Sequence, residues 1–306
     1  MSTLEPPRRC PACLGQGRAT RFKVEGRYRL IRCKECRSEY LHPDESECTD
    51  GAGPGAEVSQ YWEEYKFSVY GDVRVQRDYE TRYSDMLSRG RRITTPITRV
   101  LDVGCGIGNF LAFAEAQGLE AFGVDIEPAA VEAAKARGLV ADVQGNLDQL
   151  LTPESVDALT MWDVIEHLFD PEAVMSQALI TLRPGGAVLL ETPDARFWMR
   201  RVILWLRTLS LGTVDFVDYM YYWEHKIYFT ERGLARLLDR LGCQVVDVHR
   251  RTSPREKMQG IFDEGAKADW HSRALSIVWP LLESVTRRTA KGNKLMVIAV
   301  SQTRAG

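Results

Sequence analysis

The sequence predicts an α/β fold, a mostly parallel sheet with helices on both faces, preceded by a small cysteine-built module and carrying helical insertions. Three observations lead there. Short apolar runs of strand length alternate with segments of helical spacing and helical length. One of these runs passes straight into three closely spaced glycines, Gly104, Gly106 and Gly108. Four of the seven cysteines stand as two Cys-x-x-Cys pairs near the start, while Cys48, Cys105 and Cys243 are scattered, a pattern of metal binding rather than of a disulfide framework.

The cysteine module comes first. Cys10 and Cys13, then Cys33 and Cys36, have the pair spacing of a tetrahedral zinc site built from two knuckles. Because protein fills all four positions, the zinc is expected to be structural. Residues 21–31 alternate enough to form the short strands of a ribbon, and His42 reads as a turn residue. The module is locally basic: residues 8–40 hold ten Lys/Arg against three Glu, whereas the whole chain has a net charge of -2. The expected organisation is a zinc ribbon over 1–43, a linker over 44–57 and an aromatic, amphipathic N-terminal helical cap over 58–95. The main domain follows over 96–302, with cap insertions at 195–222 and 254–290. Tyr65 and Tyr70 are candidates to close over a bound ligand.

In the main domain, residues 99–103, 120–124, 139–143, 156–162 and 187–191 read as strands. Asp170 followed by Pro171 signals a helix start, with Val174, Ala178, Leu179 and Leu182 on one face and Pro184-Gly185-Gly186 as its stop. Thr230 can cap a second helix in which Leu234, Leu237, Leu238 and Leu241 share a face and Gly242 ends the run. Residues 243–248 and 295–301 then bring the sheet to seven strands.

The glycine-rich turn is the most informative segment. Glycines there let the chain turn tightly and let a ligand approach the backbone closely. A dinucleotide fingerprint wants its third glycine at position 109, where Asn109 stands, so the loop suits a nucleoside lacking a pyrophosphate better than NAD. The next strand ends in Gly123-Val124-Asp125, which places a carboxylate where it can accept both ribose hydroxyls.

Together these segments resemble motifs I and II of the class I S-adenosylmethionine-dependent methyltransferases, and the resemblance runs from about residue 60 to 302. It implies a Rossmann-like seven-stranded sheet and S-adenosyl-L-methionine as cofactor. Carried over motif by motif, it implies that Asp102, Gly104, Cys105, Gly106 and Gly108 hold the amino-acid end of the cofactor and that Asp125 and Ile126 hold the ribose side. Asn146 and Leu147 would stand at the adenine, and Trp162 and Asp163 in the segment after the fourth strand. The pair Glu166-His167 resembles that of ubiquinone-type and polyketide-type O-methyltransferases, which makes His167 a candidate general base. Glu224-His225 ahead of Phe229-Thr230 matches a second pattern of that subgroup and makes His225 a candidate to face the acceptor. The ribbon resembles the N-terminal module of methyltransferases in bacterial sugar and cell-envelope biosynthesis.

The expected activity is therefore methylation of a small molecule, most simply a hydroxyl of a glycan, quinone-like, lipid or secondary-metabolite precursor, free or carrier-bound. Two rivals are an RNA methyltransferase docking through the basic ribbon and a non-catalytic module that binds cofactor or partners. The near-neutral charge and the missing Asn/Asp-Pro-Pro-Phe/Tyr signature argue against nucleic acid. The insertion is basic and Trp-bearing over 196–209, which allows peripheral membrane contact as well as a lid. No run of about 18 apolar residues occurs, and the first ten residues lack a signal-peptide core, so the expected location is the cytoplasm.

Overall fold

The computed structural model describes residues 9–43, 73–94, 96–253, 277, 280–282, 284, 286 and 292–302. The expected linker, Tyr65, Tyr70, Cys48 and most of the 254–290 insertion lie outside them.

Three strands, β1 (Gly17–Val24), β2 (Tyr28–Cys33) and β3 (Glu39–Pro43), form an antiparallel meander around the cysteines. His42 lies within β3 opposite Arg29 rather than in a turn, because the strand runs on to Pro43. Helix α1 (Val73–Ile93) then lays Val75, Tyr79, Tyr83, Met86 and Leu87 onto the main sheet. This sheet is built from β4 (Arg99–Val103), β5 (Glu120–Asp125), β6 (Ala141–Val143), β7 (Val156–Trp162), β8 (Leu182–Pro193), β10 (Cys243–Arg251) and β11 (Lys294–Ser301). Its order is β10-β11-β8-β7-β4-β5-β6, with β11 antiparallel to both neighbours and the pairs among β4 to β8 parallel.

Covering helices explain the apolar runs. Leu101 and Val103 of β4 face one core with Val188, Leu190 and Val297, while Val100 faces the other with Leu189, Met296 and Ile298. A strand buried on both faces reads as a continuous apolar stretch. Helices α1, α2 (Asn109–Ala116) and α3 (Pro128–Ala136) cover the second face; the short α4 (Leu147–Leu150) follows β6. Helix α5 (Pro171–Leu179) covers the first face and is capped as expected, Asp170 accepting from the Ala173 amide at 3.0 Å. Its buried residues are Pro171, Met175 and Ala178, with Val174 and Leu179 half-buried against the same core, while Leu182 of the expected face belongs to β8. The expected stop at Pro184-Gly185-Gly186 lies inside β8, where a register shift opposite β7 and Gly185 at φ +77° absorb it as a bulge.

The 195–222 insertion forms α6 (Trp198–Leu209) and the short α7 (Val217–Met220), which pack with β1 to β3 in a third core. Strand β9 (Ile227–Tyr228) leaves the main domain and joins the ribbon sheet, Glu39 opposite Tyr228 and Tyr40 opposite Ile227. Helix α8 (Glu231–Arg240) follows, with Thr230 accepting from the Gly233 amide at 3.0 Å and Leu234, Leu237 and Leu238 buried. Cys10, Cys33, Cys36 and Tyr40 of the ribbon share one core with these leucines and with the sheet.

Candidate active site

The glycine turn joins β4 to α2 at the point where the strand order reverses between β4 and β7, where open α/β sheets place their ligands. Gly104, Gly106 and Gly108 all have positive φ. A methyl on Gly104 would overlap Val164, and one on Gly108 would lie 2.5 Å from Leu139. The turn therefore depends on glycine for conformation and for space.

Two buried carboxylates flank this turn. Asp125 accepts from the Gly106 amide at 2.8 Å and from the Glu127 amide at 2.9 Å, so the tip of β5 fixes the shape of the loop. Asp102 accepts a hydroxyl hydrogen bond from Thr160 at 2.6 Å; burial, with Asp125 nearby, pushes it up to about 8 against the lowering by Thr160. Cys105 is buried and packs against Gly123, where a Cβ would lie 2.7 Å from its Sγ, and burial raises its thiol far above the ordinary range. At the tip of β5 the apolar Ile126 is 69% exposed, an open face for a planar base. Asn146 follows β6 and donates to Asp142 at 3.1 Å, with Leu147 half-buried behind it.

At the tip of β7, Trp162 is buried among Tyr83 and Phe110, with ring centroids 4.6 and 5.4 Å away. Asp163, at φ +57°, accepts from the Tyr79 hydroxyl at 2.9 Å and pairs with Lys294, so its carboxylate is committed to protein groups. Arg82 pairs with Glu191 and Asp78 and lies over the Tyr79 ring. Sequence reasoning missed Tyr79, Arg82, Glu191 and Lys294. For Glu191 inside β8 and Lys294 at the start of β11 the signal was a charged residue in an apolar strand, where only a paired partner makes burial tolerable; Tyr79 and Arg82 lie on helix α1 and gave none.

Beyond Asp163 a single helical turn, Ile165–His167, brings His167 to His225, the rings edge to face at 4.7 Å. Glu166 is buried, accepts from Thr192 at 2.9 Å, and is pushed up to about 8 by burial and then Asp163, with Lys294 opposing. Burial, followed by His167 and Lys294, holds His225 well below the usual imidazole range and therefore neutral near pH 7. Tyr222 and Tyr228 enclose His225, at 5.5 and 5.4 Å. Arg200 of α6 lies over Tyr228 and Tyr221, at 4.0 and 4.9 Å, and Tyr221 donates to Glu39 of β3 at 2.6 Å. Ribbon and insertion thus build one wall beside the histidines.

In the ribbon, Cys10 and Cys36 sulfurs lie 3.7 Å apart, Cys13 and Cys33 sulfurs 3.4 Å apart, and all four lie within 4.8 Å of one another. The edge of a tetrahedron with metal–sulfur bonds of about 2.3 Å is about 3.8 Å, so the set fits zinc. The residue after each second cysteine, Leu14 and Arg37, has positive φ, giving two matched knuckles. Thr230 donates to the Cys36 carbonyl at 2.7 Å and Arg240 to the Ala12 carbonyl at 3.1 Å, fastening them to α8.

A doubly wound sheet with a glycine turn, an acidic tip on the next strand and Asn109 where a dinucleotide site has its third glycine fits the Rossmann-like methyltransferase class. The chain belongs to the family described as methyltransferase domain, whose sequence pattern matches residues 74–248. It is 36% identical over 109 residues to a ubiquinone biosynthesis O-methyltransferase of Xanthomonas campestris pv. campestris, covering 33% of this chain and 45% of that one. A probable S-adenosylmethionine-dependent methyltransferase of Mycolicibacterium smegmatis is 37% identical over 97 residues, covering 31% and 38%. The chain thus spans about half, or less, of the length of these relatives. Among solved structures, a SAM-dependent methyltransferase from Archaeoglobus fulgidus aligns with a TM-score of 0.50 at 18% identity, covering 79% of this chain and 100% of that one. The cyclase SpnF aligns with a TM-score of 0.54 at 17% identity over 80% and 96%. These likenesses concern the fold, and a cyclase among them shows that this fold does not by itself fix the reaction.

Proposed function

We propose that the chain methylates a hydroxyl of a small-molecule acceptor, using S-adenosylmethionine, with His167 as general base. The observation that carries this reading is the His167–His225 pair at the tip of β7, next to the strand that opens into the glycine turn. Asp102, Gly104, Gly106, Gly108, Asp125, Ile126, Asn146 and Leu147 would hold the cofactor. When bound it supplies an electrophilic methyl group, whose transfer demands alignment and exclusion of water more than acid chemistry. His167 takes the acceptor's hydroxyl proton, and neutral His225, enclosed by Tyr222 and Tyr228, orients the acceptor side. Trp162 and Asp163 shape the floor through the Tyr83 and Lys294 contacts. The ribbon holds a structural zinc and supplies the outer wall through Glu39. Its knuckles are spent on α8, which speaks against an RNA-reading arm and favours a glycan-, quinone- or lipid-like acceptor.

The test is transfer from labelled S-adenosylmethionine into a cell extract separated into RNA, lipid and aqueous small-molecule pools. Label in either of the latter two is expected; label confined to an RNase-sensitive pool overturns the acceptor class. His167→Ala should lower transfer by about 100-fold or more with cofactor affinity unchanged. Unchanged transfer removes the base role.

A further inference from the structure

Helix α6 turns Arg200 and Ile203 inward, and its other face is covered by nothing among the described residues. Val202, Trp205, Leu206 and Leu209 follow the i, i+3, i+4, i+7 spacing of one helical stripe, with Trp205 60% and Leu209 61% exposed. The turn after the helix continues it: Leu211 is 94% exposed at φ +52°, a conformation that costs a non-glycine residue energy and that presents this side chain outward. Ile277 and Leu281, whose neighbour Leu282 packs onto the same core as α6, are exposed as well.

The exposed charge along this stripe is mostly basic, since Arg200 is buried and Arg196, Arg201 and Arg207 are not. Residues 196–209 hold Arg196, Arg200, Arg201 and Arg207 and no acidic residue; Gly17–Val24 holds Arg18, Arg21 and Lys23 and none either. Strand β1 runs beside α6, since Arg21 donates to Thr208 and Arg207 lies over the Phe22 ring. Two carboxylates at this edge are engaged, Asp215 by Arg207 at 2.5 Å and Asp218 by the Glu25 amide at 2.9 Å. An aliphatic stripe with a tryptophan in it and a mainly basic border matches the interface of an anionic bilayer, with apolar side chains among the acyl chains and guanidinium groups at the phosphates. A protein partner would ordinarily be met by a mixed polar rim.

We propose that α6, the Leu211 turn and β1 form a peripheral docking face for membranes containing anionic lipid. No helix of the described residues is long and apolar enough to cross a membrane, so contact is interfacial. Docking would bring the Arg200–Tyr228 wall, and with it His225, toward the bilayer surface.

The experiment is co-sedimentation of the whole chain with vesicles of phosphatidylcholine alone or with about 30% phosphatidylglycerol. Binding to the anionic vesicles, weakening with added salt, is expected, with at least about tenfold less binding for Leu209→Ser with Leu211→Ser. Arg18→Gln with Arg21→Gln should weaken binding to anionic vesicles alone. Calorimetric titration with S-adenosylhomocysteine verifies that the variants are folded and separates this result from any failure of the methyl-transfer reading. Equal sedimentation with both vesicle types, no sedimentation, or self-association in the absence of lipid that the same leucine changes abolish would each overturn the proposal, the last in favour of a second copy of this chain.

Discussion

The two halves of the site are built by opposite strategies. On the β4–β6 side, each functional element is a strand end and the turn that follows it, contiguous in sequence: Asp102 to Gly108, then Asp125 and Ile126, then Asn146. On the β7–β8 side the pieces come from across the chain. Glu39 of the ribbon meets Tyr221, Tyr79 of α1 meets Asp163, and Asp163 meets Lys294. The first half is set by local backbone geometry, the second by long-range packing and buried charge.

If the ribbon belongs to the second half as a shared core, its metal should matter to the whole domain. Removing zinc by chelation, or Cys33→Ser, should lower the single melting transition by about 10 °C or more. A separate early transition with the main one unmoved would make the ribbon an independent appendage. Gly104→Ala attacks the other half: the Val164 overlap and positive φ predict an affinity for S-adenosylhomocysteine lower by up to about 100-fold, read by calorimetry, with a smaller loss of stability. An unchanged affinity would mean that the turn is not a binding surface. Tyr221→Phe removes the hydroxyl from Glu39 and should cost about 2 kcal/mol in denaturant unfolding without altering cofactor affinity. A change in cofactor affinity would show that the halves are coupled.

The last effect is a slope rather than a step. Burial holds Asp102 up at about 8, far above its unfolded value of about 3.9, so the folded state keeps a proton that the unfolded state loses between these values. Its contribution to stability is fully present below about pH 4 and is lost as pH rises through about 8. Asp102→Asn should flatten the fall in melting temperature between pH 5 and 8; the remaining slope reflects Glu166, also raised to about 8. Parallel wild-type and variant curves would argue against a buried, protonated Asp102.

This division also explains what was legible in the sequence. The sheet, the Asp170 and Thr230 caps, the glycine turn and the four-cysteine cluster could be read because each is a short pattern with a local cause. Cys105 reads as part of a ligand loop; its side chain packs from the glycine turn against Gly123 of β5, a contact that spacing does not reveal. The bulge at Pro184-Gly185-Gly186 was read as a stop because a bulge and a stop share the same residues. Arg82 was silent because its ion pair with Glu191 of β8 leaves no period in α1, and the partners of Glu191 and of Lys294, which pairs with Asp163, could not be read from their strands. The pairing of His167 with His225 could be guessed only as two separate motifs; their 4.7 Å contact depends on β9 turning toward the ribbon.

That turn has a consequence for how the chain is made. Ser38 and Thr230, which meet at the knuckles, are 192 residues apart. During synthesis the four cysteines leave the ribosome before β9 and α8 are added, and a metal bound among them would hold that edge in place until the partner strand arrives, so the loop to be closed would end on a preformed template instead of a free chain.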